Sequence, residues 1–179
     1  MQIENSFEVQ ASPAAAWVVL TDVPRVVPCM PGATLERRVD ERTWEVLQAV
    51  KLGPISLQLR AEVKQEELSE DAGVAVLAVK AKEVKGRGGA DATIRSTLQP
   101  AEEGTRVELL TQLELRGAVA QYGRPVVGTV AEELTRQFAA CLAAMLAEEH
   151  PEAEARKARA VGGIRLFLRA LWNRLFRRS

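Results

Sequence analysis

Few side chains in this sequence have the chemistry of a catalytic or metal site. The 179 residues contain one histidine, His150, and two cysteines, Cys29 and Cys141. His150 stands directly before Pro151, a position typical of an exposed helix end, and isolated cysteines commonly lie in the core as small apolar residues. We therefore expect no metal site and two free, buried thiols.

The carboxylates do not form a catalytic set either. Glu83 and Asp91 lie near a strand end, and neither has an evident partner in the sequence. General acid–base catalysis requires a titratable group placed in the substrate pocket. The Gly86-Arg-Gly-Gly segment lacks the Lys-Ser/Thr of a phosphate loop, so it predicts a hairpin turn. We expect a protein that is not an enzyme.

Charge is distributed unevenly along the chain. The sequence has 24 basic and 24 acidic residues, but eight of the basic residues follow Glu154 and no acidic residue does. Residues 1–154 therefore carry a net charge of −8. This argues against broad nucleic-acid binding, because phosphate contacts supply most of its affinity.

The elements that must position any site are mainly strands. Alternating patterns predict strands over 2–10, 33–39, 43–51, 55–67, 73–84, 90–99 and 105–116. Short Gly-, Pro- and Asp-containing breaks join them as antiparallel neighbours. Ser12-Pro13 begins a short helix that ends near Leu20. Apolar residues at helical spacing predict one long helix over 124–148. The order favours an α+β, helix-grip fold in which a seven-stranded antiparallel sheet curves around the last helix.

Several motifs together resemble a known family. They are Phe7-Glu-Val with Pro13 and Trp17, Leu20-Thr-Asp-Val23, Pro28-Cys-Met-Pro-Gly-Ala33, Val50-Lys-Leu-Gly-Pro-Ile55, Gly86-Arg-Gly-Gly-Ala90, Gly104-Thr-Arg-Val107, Gly117 to Arg124, and Arg136-Gln-Phe-Ala139. Residues 1–148 resemble the carbon monoxide dehydrogenase G-subunit family of the START-like (SRPBCC) superfamily. The resemblance implies a hydrophobic cavity between sheet and helix, and an accessory role for a molybdenum hydroxylase.

Small residues are predicted on the inner face of the sheet. The alternation that points Leu57 and Leu59 inward also points these small side chains inward: Ala61, Ala75, Ala81, Ala90, Ala92, Ser96 and Thr111. Unfilled volume opposite the helix would suit an apolar ligand, although larger neighbours could instead fill it. The predicted wall residues are Met30, Trp44, Ala61, Ala92, Tyr122, Val126, Val130 and Leu134.

The last nineteen residues, 161–179, predict an amphipathic helix joined to the domain by a polar linker, 149–160. At roughly 100° per residue, one face collects Ile164, Phe167, Leu168, Leu171, Trp172, Leu175 and Phe176. Arg165, Arg169 and Arg174 exclude a helix that crosses the bilayer, and Arg165 and Leu166 interrupt the pattern. Trp, Phe and Leu opposite basic residues are typical of a helix that lies in a membrane interface. Packing on a partner protein or on the acidic body remains open.

The N-terminus has neither the basic nor the apolar region of a secretory signal. We therefore expect a cytoplasmic protein, peripheral on the inner face of the cell membrane. The functional expectation is a carrier without a covalent cofactor. It would move a quinone or similar lipid as cargo between the inner membrane and a carbon monoxide dehydrogenase-like molybdenum hydroxylase. The alternative is an adaptor that recruits the hydroxylase without moving a ligand.

Overall fold

The computed structural model describes residues 1–52 and 55–149, without the side chains of Leu52, Ile55, Tyr122, Arg124 and Glu149. The seven strands are β1 (Gln2–Val9), β2 (Ala33–Arg38), β3 (Thr43–Leu52), β4 (Ile55–Ser69), β5 (Val74–Glu83), β6 (Gly88–Ala101) and β7 (Gly104–Gly117). The helices are α1 (Pro13–Leu20), α2 (Val23–Val26) and α3 (Gly123–Glu149). Two 3₁₀ helices cover Val27–Cys29 and Ala118–Tyr122. The predicted linker beyond Glu149 and the predicted tail lie outside the described residues.

The strands form one antiparallel sheet in the order β1-β7-β6-β5-β4-β3-β2. Strands β2 to β7 follow one another as a meander, and β1 adds to the free edge of β7. The register shifts between Leu35 and Arg37 and between Gln65 and Glu67. Such bulges bend and twist a strand, so they help the sheet to curve around α3. The predicted helix-grip fold is confirmed, and every strand ends within two residues of its predicted bounds.

Local sequence signals fix the short elements. Ser12 Oγ accepts from the backbone N–H of Ala15 at 3.3 Å, and Pro13 occupies the first turn of α1. The predicted glycine turn joins β5 to β6, with Gly86 at φ 76° and Gly88 at φ 133°. A side chain at Gly88 would also place its Cβ 2.0 Å from the carbonyl oxygen of Arg116. Only glycine permits this close start of the β6–β7 pair.

The C-terminal half of α3 closes one end of the domain. Leu142 and Leu146 are 0% and 2% exposed, and they pack with Trp17, Leu98 and Val107 from α1, β6 and β7. Among the described residues, this buried cluster has more members than the others. A second buried group, on β3 and the helices before β2, consists of Val23, Val27, Trp44 and Val46.

The two cysteines are bonded to each other. Cys29, in the first 3₁₀ helix, and Cys141, in α3, form a disulfide with Cα atoms 5.3 Å apart. The expectation of two free thiols is therefore wrong. The two residues are 112 positions apart, and local sequence patterns carry no information about such a distant contact.

Candidate functional site

An apolar cavity of about 370 Å³, partly open to solvent, lies between the sheet and the N-terminal half of α3. The helix contributes Val127, Val130, Ala131 and Leu134 to its wall. The region before β2 and the start of that strand contribute Val23, Val27, Met30 and Ala33. The remaining wall residues are Val46, Gln48, Val50, Leu57, Leu59, Ala61, Val63, Leu77, Val79, Ala81, Ala90, Ala92, Ile94, Leu113 and Val119.

The cavity exists because the middle of the sheet carries small side chains. Ala61, Ala81 and Ala90 lie directly opposite one another on β4, β5 and β6. Residues opposite each other in an antiparallel sheet point to the same face, so three alanines form one row under α3. Ala92 extends the small surface by one position in the next row. Methyl groups reach less far towards the helix than the valines and leucines around them, and space remains.

Two contacts fix α3 just beyond its cavity-lining residues. The Phe138 ring packs edge-on against Phe7 of β1, with centroids 6.0 Å apart. Further along the helix, the Cys29–Cys141 disulfide joins α3 to the first 3₁₀ helix. The two supports hold the helix above the small residues, which opposes collapse onto them.

The structure brings most of the predicted wall residues together. Met30, Ala61, Ala92, Val130 and Leu134 all line the cavity. The small residues Ala81 and Ala90 line it as well, whereas Ala75 packs against the closed end around Val9.

Of the three remaining predicted wall residues, two have a different placement and one is not tested by the structure. Trp44 is 4% exposed and packs in the group with Val23 and Val27, outside the wall. Val126 is 41% exposed, and Val127 takes its place in the wall. The side chain of Tyr122 lies outside the described residues. The helical pattern identified the correct helix, but it placed Val126 in the wall instead of the next residue, Val127.

The sequence reasoning missed many branched side chains of the wall. Examples are Val63 on β4, Val79 on β5 and Ile94 on β6, which share a sheet face with the small residues. The same alternation that identified the alanines would have found them.

Two glutamine side chains near the cavity stabilise the fold through hydrogen bonds to the backbone. Gln65 is 6% exposed, and its Nε2 donates to the carbonyl oxygen of Thr21 at 2.6 Å. Gln48 Nε2 donates to the carbonyl oxygen of Pro31 at 2.7 Å. Both bonds attach the segment between α1 and β2 to the sheet, which places the Val23, Val27 and Met30 side chains.

Glu83 and Asp91 each have a partner, contrary to the expectation from the sequence. Glu83 Oε1 is 2.8 Å from Arg87 Nη2, and its Oε2 accepts from the backbone N–H of Lys85 at 2.8 Å. The Arg87 guanidinium and these backbone donors lower the pKa of Glu83 to about 2. Arg116 binds both carboxylate oxygens of Asp91 and lowers the pKa of that carboxyl. Both groups are ionised at neutral pH, and neither lines the cavity.

Two further observations concern residues 1–52 and 55–149 only. Within them, no three His, Cys, Asp or Glu side chains are grouped so that they could hold a metal ion. No helix in this part of the chain combines the length and the apolar character that a membrane span requires.

The chain was compared with known families and proteins. The family of the carbon monoxide dehydrogenase G subunit, CoxG, matches residues 6–147, more than three quarters of the sequence. The chain belongs to this family. Membership of the CoxG family supports an accessory role for carbon monoxide dehydrogenase. A comparison with curated protein sequences finds no significant match.

Solved structures support the fold. A conserved protein from Geobacillus kaustophilus superposes with a TM-score of 0.74 at 20% identity, covering 83% of this chain and 96% of its own. The ZhuI aromatase/cyclase from Streptomyces sp. R1128 gives a TM-score of 0.58 at 14% identity, covering 84% and 94%. A protein from Thermus thermophilus gives 0.58 at 12% identity, covering 81% and 99%. These superpositions show a shared helix-grip fold and, at identities of 12–20%, the fold alone. One of the proteins with this fold is named as an aromatase/cyclase, an enzyme.

Proposed function

We propose that this CoxG-family protein carries an apolar ligand, a membrane quinone, between the inner membrane and a carbon monoxide dehydrogenase-type molybdenum hydroxylase. The observation that carries the proposal is the apolar cavity beneath α3. Its volume of about 370 Å³ falls within the roughly 300–1,000 Å³ of ligand pockets. A soluble hydroxylase that must reduce a lipid-dissolved quinone needs a route out of the bilayer, and an apolar cavity on a tethered domain supplies one.

The charge distribution of the domain supports exchange at an anionic membrane. Four described segments lie at the end of the domain where α3 begins: 46–52, 55–58, 84–90 and 115–131. They contain Lys51, Lys85, Arg87, Arg116 and Arg124. Arg87 and Arg116 pair with Glu83 and Asp91, which border these segments. The excess positive charge of this end therefore comes from Lys51, Lys85 and Arg124. The turns at the opposite end carry Asp40, Glu41, Glu70, Asp71, Glu102 and Glu103. Anionic lipids attract the first end and repel the second.

The tail would provide the tether. In the sequence the tail follows α3 and the linker. The C-terminal end of α3 lies at the closed end of the domain, beside Leu146. The 27 residues of α3 span about 40 Å, and the eleven linker residues that follow Glu149, 150–160, reach up to about 40 Å when extended. The linker is therefore long enough for a membrane-bound tail and the basic end of the domain to contact the same surface.

Native purification tests the carrier function. The full chain is isolated without detergent and extracted for mass spectrometry, and the emptied protein is then exposed to menaquinone. We expect a bound quinone or isoprenoid lipid, or uptake of about one menaquinone per chain. Absence of both would contradict the proposal.

Vesicle co-sedimentation tests the tether. Removal of residues 161–179, or Leu171→Glu combined with Leu175→Glu, should release the protein from anionic vesicles without changing its melting temperature. High salt should weaken binding only in part, because it screens the arginines but not the apolar contacts. Continued sedimentation of both variants would exclude the tail as the tether.

The adaptor remains the second candidate, because the amphipathic pattern of the tail would serve recruitment without any cargo. Val130→Trp distinguishes the two, since Val130 lines the cavity. A carrier filled in this way loses electron delivery to the membrane but stays attached, whereas an adaptor keeps both. Val126→Trp is the matched control, because Val126 lies one turn earlier and is 41% exposed. A melting curve shows that each variant is folded.

A further inference from the structure

The cavity wall offers a bound molecule almost no hydrogen-bonding group. Among the described side chains that line it, Gln48 is the only polar one, and the exposed surface consists almost entirely of apolar atoms. The amide nitrogen of Gln48 already donates to the carbonyl oxygens of Pro31, at 2.7 Å, and Ala49, at 3.0 Å. An occupant of this space is therefore surrounded by hydrocarbon.

Nearby polar side chains do not change this conclusion. Gln65 directs its amide nitrogen to Thr21, at 2.6 Å. The indole Nε1 of Trp44 is buried without a partner among the described residues, but Trp44 is not part of the wall. Glu83 is held by Arg87 and is not part of the wall either.

Such a wall treats the two parts of a prenylated quinone in opposite ways. The ring carbonyls give up hydrogen bonds to water when they enter, and nothing in the described wall replaces these bonds, so their burial is unfavourable. The prenyl chain has no polar atom, and each methylene that leaves water is favourable. Because burial of the chain is favourable and burial of the ring carbonyls is not, the bound state with the chain inside has the lower free energy.

We infer that the cavity recognises the prenyl chain and that the ring remains at the opening. The inference rests on the carrier function proposed above and specifies its ligand class as polyprenyl lipids, selected by the chain rather than by the head group. The reducible ring then stays accessible to a partner enzyme while the chain is held. A cavity of about 370 Å³ accepts the first isoprene units, and a longer chain extends beyond it.

Competition between the two parts of the ligand tests the orientation. The full-length protein is loaded with a menaquinone that has two isoprene units. Menadione, which has the ring without a chain, and squalene, which has a chain without a ring, are then added from cyclodextrin. Bound quinone is measured by gel filtration, extraction and mass spectrometry. We expect squalene to displace the quinone at a concentration at least tenfold lower than menadione.

The possible results separate the orientation from the carrier function. Displacement by menadione as strong as, or stronger than, displacement by squalene would overturn the orientation and leave the carrier function standing. Failure of the protein to take up the menaquinone at all would overturn the carrier function and this inference with it. Val130→Trp should lower the uptake of squalene and of the menaquinone together, while Val126→Trp should change neither. Loss of menadione binding alone in Val130→Trp would place the ring in the cavity.

Discussion

The two halves of α3 present similar apolar faces to very different surroundings. In the C-terminal half, Leu142 and Leu146 are fully enclosed by side chains from α1, β6 and β7. In the N-terminal half, Val130 and Leu134 face an open volume above the alanine row of the sheet. An apolar helix face is thus not evidence of a filled core. The size of the side chains on the opposite surface decides whether that face stabilises the domain or binds a ligand.

The largest expected effect comes from truncating one leucine in each half. Leu142→Ala should lower the free energy of unfolding by about 3–5 kcal/mol, because it opens a new void in a packed region. Leu134→Ala should lower it by only roughly 1–2 kcal/mol, since the side chain already borders empty space and loses mainly its transfer term. Urea unfolding measures both, and equal losses would mean that the two halves are packed alike.

Removal of the disulfide should have the next largest effect. The double substitution Cys29→Ala and Cys141→Ala opens a link across 112 residues, and such links typically contribute about 2–4 kcal/mol. The support of α3 beside the cavity is lost as well. The melting temperature is compared with and without reductant, and the double variant is the control that reductant should not affect. An unchanged melting temperature in reductant would show that the link does not stabilise the domain.

The third comparison enlarges a side chain instead of truncating it, with one alanine chosen from the packed region and one from the cavity wall. Ala16 is 0% exposed in α1, so Ala16→Leu should destabilise the protein by about 1–3 kcal/mol through overpacking. Ala92 lines the cavity, so Ala92→Leu should remain within about 1 kcal/mol of the parent while it reduces quinone uptake. Chemical unfolding measures the stability of both variants, and the uptake assay measures their quinone binding. A severe loss of stability in Ala92→Leu would mean that the cavity has no room for an isobutyl side chain at this position.

The smallest expected change in stability concerns the carboxylate of Glu83, the last residue of β5. The pKa of Glu83 is lowered from 4.5 to about 2 in the folded protein, so its stabilising contribution is complete above pH 4.5 and is lost as the pH falls through 2. Glu83→Gln should therefore be less stable than the parent at pH 7, and the difference should narrow between pH 4.5 and 2. Glu102→Gln, in the exposed turn after β6, serves as the control. A difference that does not depend on pH would show that the Arg87 pair does not favour the ionised form.

Much of the fold was predictable because its signals are local. The alternation of apolar and polar residues identified seven strands, and Ser12-Pro13 and the glycine turn at 86–89 marked two of the boundaries. The spacing of Val130, Leu134 and Phe138 identified α3. Each of these signals acts within a few residues, where the pleat of a strand or the turn of a helix fixes which side chains share a face.

The cavity itself was predictable only in part. The alternation placed Ala61 and Ala92 on the inner face, and both line the cavity. Val126 was wrong because the prediction followed a strict four-residue spacing through Val126, Val130 and Leu134. One face of a helix collects residues at i, i+3, i+4 and i+7, and Val127, Val130, Ala131 and Leu134 line the cavity in that pattern.

Only the tertiary structure decided the contacts between distant residues. The sequence determined the elements, their apolar faces and the acidic body with its basic C-terminal tail. It did not determine that Cys29 reaches Cys141, that Arg116 binds Asp91 on the neighbouring strand, or that three alanines on different strands form one row. These features depend on register and on the distance between the sheet and the helix. Both are set when the layers pack together, so no local pattern in the chain records them.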